Sequence, residues 1–375
     1  MTTKDFQTRS RLSLFASYYR PHLGLFLLDM VCALGIALVD LAFPYGSRLA
    51  LNQFLPQNLF GAFFGVMALM LVGYAIRSGL QYIIGYWGHM MGVYIEADMR
   101  RDLFSHMQKL SFDFYDHNRT GQLMSRVTND LFEITELSHH GPEDLFISCV
   151  TIIGAFCILC TIEWRLALIV FAVIPCFVIF SVILRRKMAE KSTQVKVRTS
   201  EINASIESGF SGIRTAKAFA NEEIEMDKFR DSNKKYLGAK KDYYKIMGIF
   251  GAGMEFALSL LSVLVIAAGG YFIMKDSMNY IELVTFSLYV STFISPVRKL
   301  VAFIEQYMAG MAGFKRFLEI MRTDPEIEDK PDAIILKNVK GNISIKNVSF
   351  SYASAKEDEE APAVLNNINV GIDCI

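Results

Sequence analysis

The sequence carries no surplus of charge. Its 375 residues hold 38 Lys and Arg against 38 Asp and Glu, a formal net charge of zero. Bulk charge therefore implies no polyanionic partner, and no nucleic acid is expected. Charge of both signs is also sparse, at 20% against about 25% in an ordinary soluble domain. No cleavable leader is expected either: the first twenty residues are polar, basic and aromatic (Lys4, Arg9, Arg11, Phe15, Tyr18, Tyr19, Arg20), and no small-residue pattern closes the first apolar run. Cysteines are few. Cys32, Cys149, Cys157, Cys160 and Cys176 lie in apolar runs, where Cys behaves as a small hydrophobe, and Cys374 lies near the last residue. Cys157 and Cys160 form a C-x-x-C, but their neighbours supply no His or carboxylate, so packing is the expected role and neither a metal nor a redox site is.

What the sequence does hold is long apolar runs. Hydrophobic types reach 52%, aromatics 13%, and mean hydropathy is +0.30. About twenty apolar residues span a bilayer as helix. Six stretches qualify: 22–44, 60 to beyond Trp87, 145–162, 166–184, 256–274, and one from Ile281 past Pro296. The third and fourth are separated only by Glu163-Trp164-Arg165, which predicts a very tight turn. The expected fold is all-α and membrane-embedded.

Lys and Arg set orientation. The N-terminal flank and the stretches 100–126, 185–245 and 298–316 are basic, whereas the other connections hold only Arg48, Arg165 and Lys275. Six spans put both termini on one side, and all four basic regions then face the cytoplasm of a plasma membrane. The N-terminal stretch, about 8–20, is expected as an amphipathic helix on that face with its aromatics at headgroup level. The two cytoplasmic connections are about fifty residues or more each and have helical periodicity (Met99, Leu103, Met107 and Leu110 fall on one stripe). They are expected as helices continuing beyond the membrane, folded back at short tips near 113–121 and 208–214, where Gly, Asn and Ser collect. Residues 1–321 form this membrane domain. Residues 322–341 read as a linker. From 342 to 375, two period-two stretches, 343–352 and 364–370, read as strands opening a soluble domain, with an acidic loop between them.

Charges at membrane depth are costly and face protein or a water-filled cavity. Asp29, Arg77 and Glu255 are candidates to line a substrate cavity. Asp40 falls nearer the outer end of its span, where a headgroup position or an ion pair between helices is expected. Arg77 and Glu255, nearer mid-span, either line the cavity or pair with each other. His139 and His140 point about 100° apart on a helix, so the adjacent pair alone makes a poor chelate and no metal is expected. The 18 Met residues are expected chiefly in cores.

Several stretches resemble one family. Residues 99–110 (MRRDLFSHMQKL), 114–121 (FYDHNRTG) with Leu123, Arg126 and Asp130, 207–219 (ESGFSGIRTAKAF), 327–331 (IEDKP) and 348–352 (VSFSY) resemble, in order and spacing, ATP-binding cassette (ABC) exporters with six spans followed by a nucleotide-binding domain. The resemblance implies that the tips are coupling helices docked on nucleotide domains. Phe114, Tyr115 and Phe210 would be hydrophobic anchors. Asp116, Arg119, Ser211 and Arg214 would lie on the docking surface, Gly121 and Gly212 would let the backbone turn, and Arg126 with Asp130 would either brace or dock. It also implies that Tyr352 stacks on adenine. ATP and Mg2+ would be the cofactors of the full-length protein, and the partners a second half-transporter, identical or related, the surrounding lipid, and an amphipathic drug, lipid or peptide as substrate.

The phosphate-binding pattern G-x-x-x-x-G-K-[ST] does not occur in the 375 residues. The chain is therefore expected to stop early in the nucleotide domain and not to hydrolyse ATP alone. Two other readings stand beside the exporter half: a non-catalytic truncated half-transporter, and a secondary transporter. Long helical hairpins and a strand-forming tail weigh against the secondary transporter.

Overall fold

The computed structural model describes residues 3–327, 329–330, 332–335, 337, 341–351 and 363–372, with side chains described from Phe6 onward. It divides into two units, Met1–Asp324 and Pro325–Ile375.

The first unit is helical throughout. Two short helices open it, α1 (Thr3–Thr8) and α2 (Arg11–Ser17), the second capped by Ser10. Then follow α3 (Leu23–Leu49), α4 (Phe60–Ile83) and α5 (His89–Met107). The short α6 (Phe112–His117) and α7 (Thr120–Ser125) precede the long α8 (Leu131–Ser211). A third short helix, α9 (Ile213–Ala218), leads to α10 (Glu222–Met274) and α11 (Tyr280–Met321). Single π-helical turns interrupt the run at Ala50–Phe54, Ile84–Gly88 and Arg126–Asp130.

Five helical stretches among the described residues are long and apolar enough to cross a membrane. One of them is two spans. Glu163 leaves the helical region (φ −149°, ψ 100°), and the rings of Phe156 and Phe171 lie 4.8 Å apart on either side of it. Fifteen residues of straight helix would separate them by about 22 Å, so the chain reverses at Glu163 and α8 is a hairpin, giving six spans. The turn expected at Glu163-Trp164-Arg165 is where the sequence put it.

The bundle wears its apolar residues outside. No residue of α4 is buried, although it carries Phe64, Leu69, Leu71 and Ile76. An apolar face of that extent has no place in water and is at home in lipid. Inside, Leu159, Leu166, Val170, Val265, Phe286, Tyr289 and Phe293 form one core, through the hairpin, α10 and α11. A second core lies where the helices run beyond the spans, built from Met91, Met99, Leu103, Phe314 and Phe317. At 53 residues, α10 is about 80 Å long, more than twice the roughly 30 Å of hydrocarbon it has to cross.

The N-terminal segment corrects one expectation. Its aromatics pack against protein. Phe6, Leu14 and Tyr18 are buried in the second core, and Phe15 meets Phe314 edge-on with ring centres 5.3 Å apart. The Tyr18 hydroxyl donates to Asp102 at 3.1 Å, the Tyr19 hydroxyl to the Ser138 carbonyl at 2.7 Å, and the Arg322 guanidinium to the Phe6 carbonyl at 2.8 Å. The segment is amphipathic as read, but its apolar stripe is covered by protein, because α5 and α11 offer a ready-made apolar surface. Burial, with Asp102 second, raises the phenol of Tyr18 far above its ordinary value, and burial does the same to Tyr19.

In the second unit β1 (Ile343–Phe350) pairs antiparallel with β2 (Leu365–Ile372), Ile343 opposite Ile372 and Ile345 opposite Val370. The register slips after Ile345 and again after Val348, where Asn347 and Asn367 take left-handed φ of 51° and 48°. Both expected strands are present. Tyr352 and the acidic loop lie outside the described residues.

Candidate functional site

The two tips are built differently. At the first, the chain leaves α5 and turns through an extended Ser111 into α6. It is extended again at Asn118 (φ −120°, ψ 120°) and Arg119 (φ −67°, ψ 132°) before α7. One six-residue helix is therefore set off by bends on both sides at the end of a long hairpin. The Tyr115 hydroxyl ties it back to the Met107 carbonyl at 2.7 Å. The Asp113 carbonyl takes the Nδ1 proton of His117 at 2.9 Å, which raises the imidazole above its ordinary range. Asp116, Arg119 and Gly121 are exposed.

Phe114 departs from its expected place. It is half-buried and packs against the second core, while Phe112, two residues earlier, is 89% exposed. A helix of six residues is too short for periodicity to say which aromatic faces outward.

The second tip lies later than 208–214. The first long arm runs through Ser211, the short α9 follows at Ile213–Ala218, and Phe219-Ala220-Asn221 leads into α10. Ser211, Gly212 and Arg214 sit at its start and are exposed. Phe210 and Phe219 stand out at 74% and 73% exposure. Between the arms lies an open groove of about 520 Å³, walled by Ile206, Phe210, Ile213, Ala216, Met226 and Phe229.

Neither tip glycine turns the backbone by a left-handed conformation. Gly212 has φ −88°, and its lack of a side chain matters because a Cβ would stand 3.2 Å from the Ser208 carbonyl oxygen. Gly121 sits inside α7 with open space around it. The left-handed residue of the second tip is Ala220, at φ 52°.

Behind the first tip the charges brace. Asp130 is buried and receives Arg126 Nη1 at 3.2 Å, Arg316 Nε at 2.8 Å and Arg316 Nη2. That ties the foot of α8 to α11, and the bond to Asp130 raises the Arg316 guanidinium still further. Backbones meet here: a Cβ on Gly313 would lie 2.9 Å from the Asp130 carbonyl oxygen, and one on Gly310 2.6 Å from Leu137 Cβ. Of the two roles weighed for Arg126 and Asp130, bracing is the one the geometry displays.

The membrane charges do not gather at one place. Arg77 pairs with Asp40, not with Glu255, as a two-pronged contact of 2.7 Å (Nε to Oδ1) and 3.0 Å (Nη2 to Oδ2) between α4 and α3. Asp40 thus forms an ion pair between helices, one of the two roles expected of it. Glu255 is exposed on α10. Asp29 on α3 is buried beside His139 and Glu143 on α8, a convergence of two helices that sequence spacing does not reveal. Along the inner arms, Arg185 pairs with Glu305 and lies 5.2 Å from the ring centre of Phe250.

Residues 26–297 match the ABC transporter transmembrane region. The chain belongs to this family. Among relatives, an uncharacterized ABC transporter ATP-binding protein of Bacillus subtilis, YwjA, is 41% identical over 96% of this chain and 61% of its own length. A protein of Syntrophus aciditrophicus named ATP-dependent lipid A-core flippase is 28% identical over 98% of this chain and 61% of its own. Another uncharacterized ABC transporter ATP-binding protein of B. subtilis, YknV, is 28% identical over 74% of this chain and 47% of its own. The chain thus spans about half to three fifths of these relatives. The six-span helical fold is that of an ABC transporter membrane domain, as the sequence resemblance implied.

Proposed function

We propose that this chain is the membrane portion of an ATP-driven exporter subunit. It works in a pair, with an identical or related second half, and moves an amphipathic substrate by alternating access. ATP and Mg2+ act in the nucleotide domain of the whole protein, with Tyr352 stacking on adenine. Both termini face the cytoplasm of the plasma membrane.

One observation carries the reading. Each long hairpin ends in a separate six-residue helix with large aromatics exposed on or beside it: Phe112 at the first, Phe210 and Phe219 at the second. Solvent-facing aromatics on a braced tip serve as docking knobs. The Asp130 knot and the tether of Tyr115 to Met107 keep the first tip stiff, so displacement of a docked domain reaches the spans as leverage. Candidate cavity residues are Asp29, Arg77 and Glu255, of which only Glu255 is exposed in the described chain.

Lipid is the substrate class we favour, because a relative covering 98% of the chain carries a flippase name. The whole protein in vesicles, given ATP and a fluorescent lipid, tests this. ATP-dependent movement of lipid between leaflets is expected. ATP turnover that lipids leave unchanged while amphipathic drugs raise it would overturn the lipid reading.

A further inference from the structure

Three buried side chains on two helices face one another with nothing to bond to. Asp29 on α3 is 2% exposed, and His139 and Glu143 on α8 are 2% and 4% exposed. Among the described residues, both carboxylate oxygens of Asp29, both ring nitrogens of His139 and Oε2 of Glu143 make no hydrogen bond. His139 Nε2 stands 3.7 Å from Glu143 Oε2. One ligand atom from each of the three lies within 4.8 Å of the others.

Gly88 makes the room. A Cβ there would stand 2.7 Å from Asp29 Oδ1 and 2.8 Å from His139 Nδ1. Gly88 ends the π-helical turn Ile84–Gly88, and such turns recur at functional sites. The next residue, His89, is exposed, and its ring centre lies 4.2 Å from that of His139 and 5.2 Å from that of His140. His89, His139 and His140 also bring a nitrogen each within 4.8 Å. His139 belongs to both groups, so imidazoles lead from the exposed rim to the buried carboxylates. The nearby cation Lys299 is taken by Asp144. Buried carboxylates without a partner are costly, and buried charges are paired or coordinate metals. Imidazole nitrogen with carboxylate oxygen is a donor set for zinc and its neighbours among divalent transition ions.

We propose that Asp29, His139 and Glu143 bind one divalent transition-metal ion of the zinc class, reached through His89 and His140. The ion joins α3 to α8 at the end of the bundle held by the N-terminal segment, since Ser138 beside His139 accepts the Tyr19 hydroxyl. Each protein ligand comes from a different position, which adjacency of His139 and His140 alone does not supply. The inference is independent of what the transporter carries.

The test is zinc titration of the full chain in lipid nanodiscs, after chelator treatment, with calorimetry and elemental analysis of the washed protein. About one zinc per chain is expected, with a chelator-reversible rise in thermal midpoint. His139→Asn and Glu143→Gln should each weaken binding tenfold or more and abolish that rise, whereas His117→Gln at the exposed tip leaves both unchanged. The unmodified chain decides even if a variant fails to fold: no retained zinc, or zinc without a shift in midpoint, overturns the site. Loss on His89→Asn as large as on Glu143→Gln overturns its assignment to the buried triad.

Discussion

Arg77 and Asp40 grip each other with two parallel contacts, 2.7 and 3.0 Å long, across the α3–α4 interface. Both are partly shielded, at 34% and 22% side-chain exposure. Removing one partner strands the other beside apolar side chains. Arg77→Leu should therefore lower stability by about 1–3 kcal/mol, less than the 3–5 kcal/mol of a fully buried pair. Arg77→Leu with Asp40→Leu should recover most of it. Thermal unfolding in nanodiscs measures both. A double variant no more stable than the single one would show that the ion pair is not what Arg77 contributes.

The glycines give a second prediction, with opposite signs at two sites. Gly313→Ala puts a methyl 2.9 Å from the Asp130 carbonyl oxygen, and backbone cannot step aside as a side chain can. Overpacking of this kind costs about 1–3 kcal/mol. Gly121→Ala meets open space inside a helix and should be neutral or gain up to about 1 kcal/mol. A loss at Gly121 matching that at Gly313 would restore the turn role that the sequence suggested for it.

The spans, the reversal at Glu163 and the helical extensions were legible because hydropathy and period report burial along a single element. The partner of Arg77 was not, since helix pairing brings together residues 37 apart in sequence. That Phe112 is exposed while Phe114 packs on the second core was illegible for a related reason: on a helix of six residues, neighbours rather than period decide what is covered. The meeting of Asp29 with His139 and Glu143 depends on how α3 and α8 dock, and no local pattern contains that. The N-terminal aromatics show the limit of amphipathicity. It reveals that a stripe will be covered, not whether lipid or protein covers it.

Tyr18 supplies a pH prediction. Burial raises its phenol in the folded chain. A group whose folded value lies above its unfolded one contributes stability that is complete below the unfolded value, about 10 for tyrosine, and is lost as pH rises from there through the folded value. The N-terminal segment should thus loosen from α5 and α11 in strong alkali, with a steeper loss above about pH 10 than in Tyr18→Phe. Proteolysis near Arg9 and Arg11, followed across pH 8 to about 11, would detect it. Identical profiles for the two proteins would mean that Tyr18 does not control the release.

The tips yield the prediction that bears most directly on transport. Phe112 and Phe210 expose large apolar surface and touch no core, so truncating them leaves the membrane domain intact. In the whole transporter, Phe112→Ala or Phe210→Ala should cost about 1–2 kcal/mol of docking, as interface aromatics do. That loss should appear as ATP turnover uncoupled from substrate movement, with an unchanged thermal midpoint for the membrane part. Phe114→Ala should behave in the opposite way. It packs against the second core, and its loss should lower the midpoint by the equivalent of about 1–3 kcal/mol while coupling per folded molecule stays near normal. The contrast separates a docking knob from a bracing residue only two positions away. If Phe114→Ala uncouples and Phe112→Ala does not, the outward face of the first tip is the one the sequence suggested, and α6 must rotate when it docks.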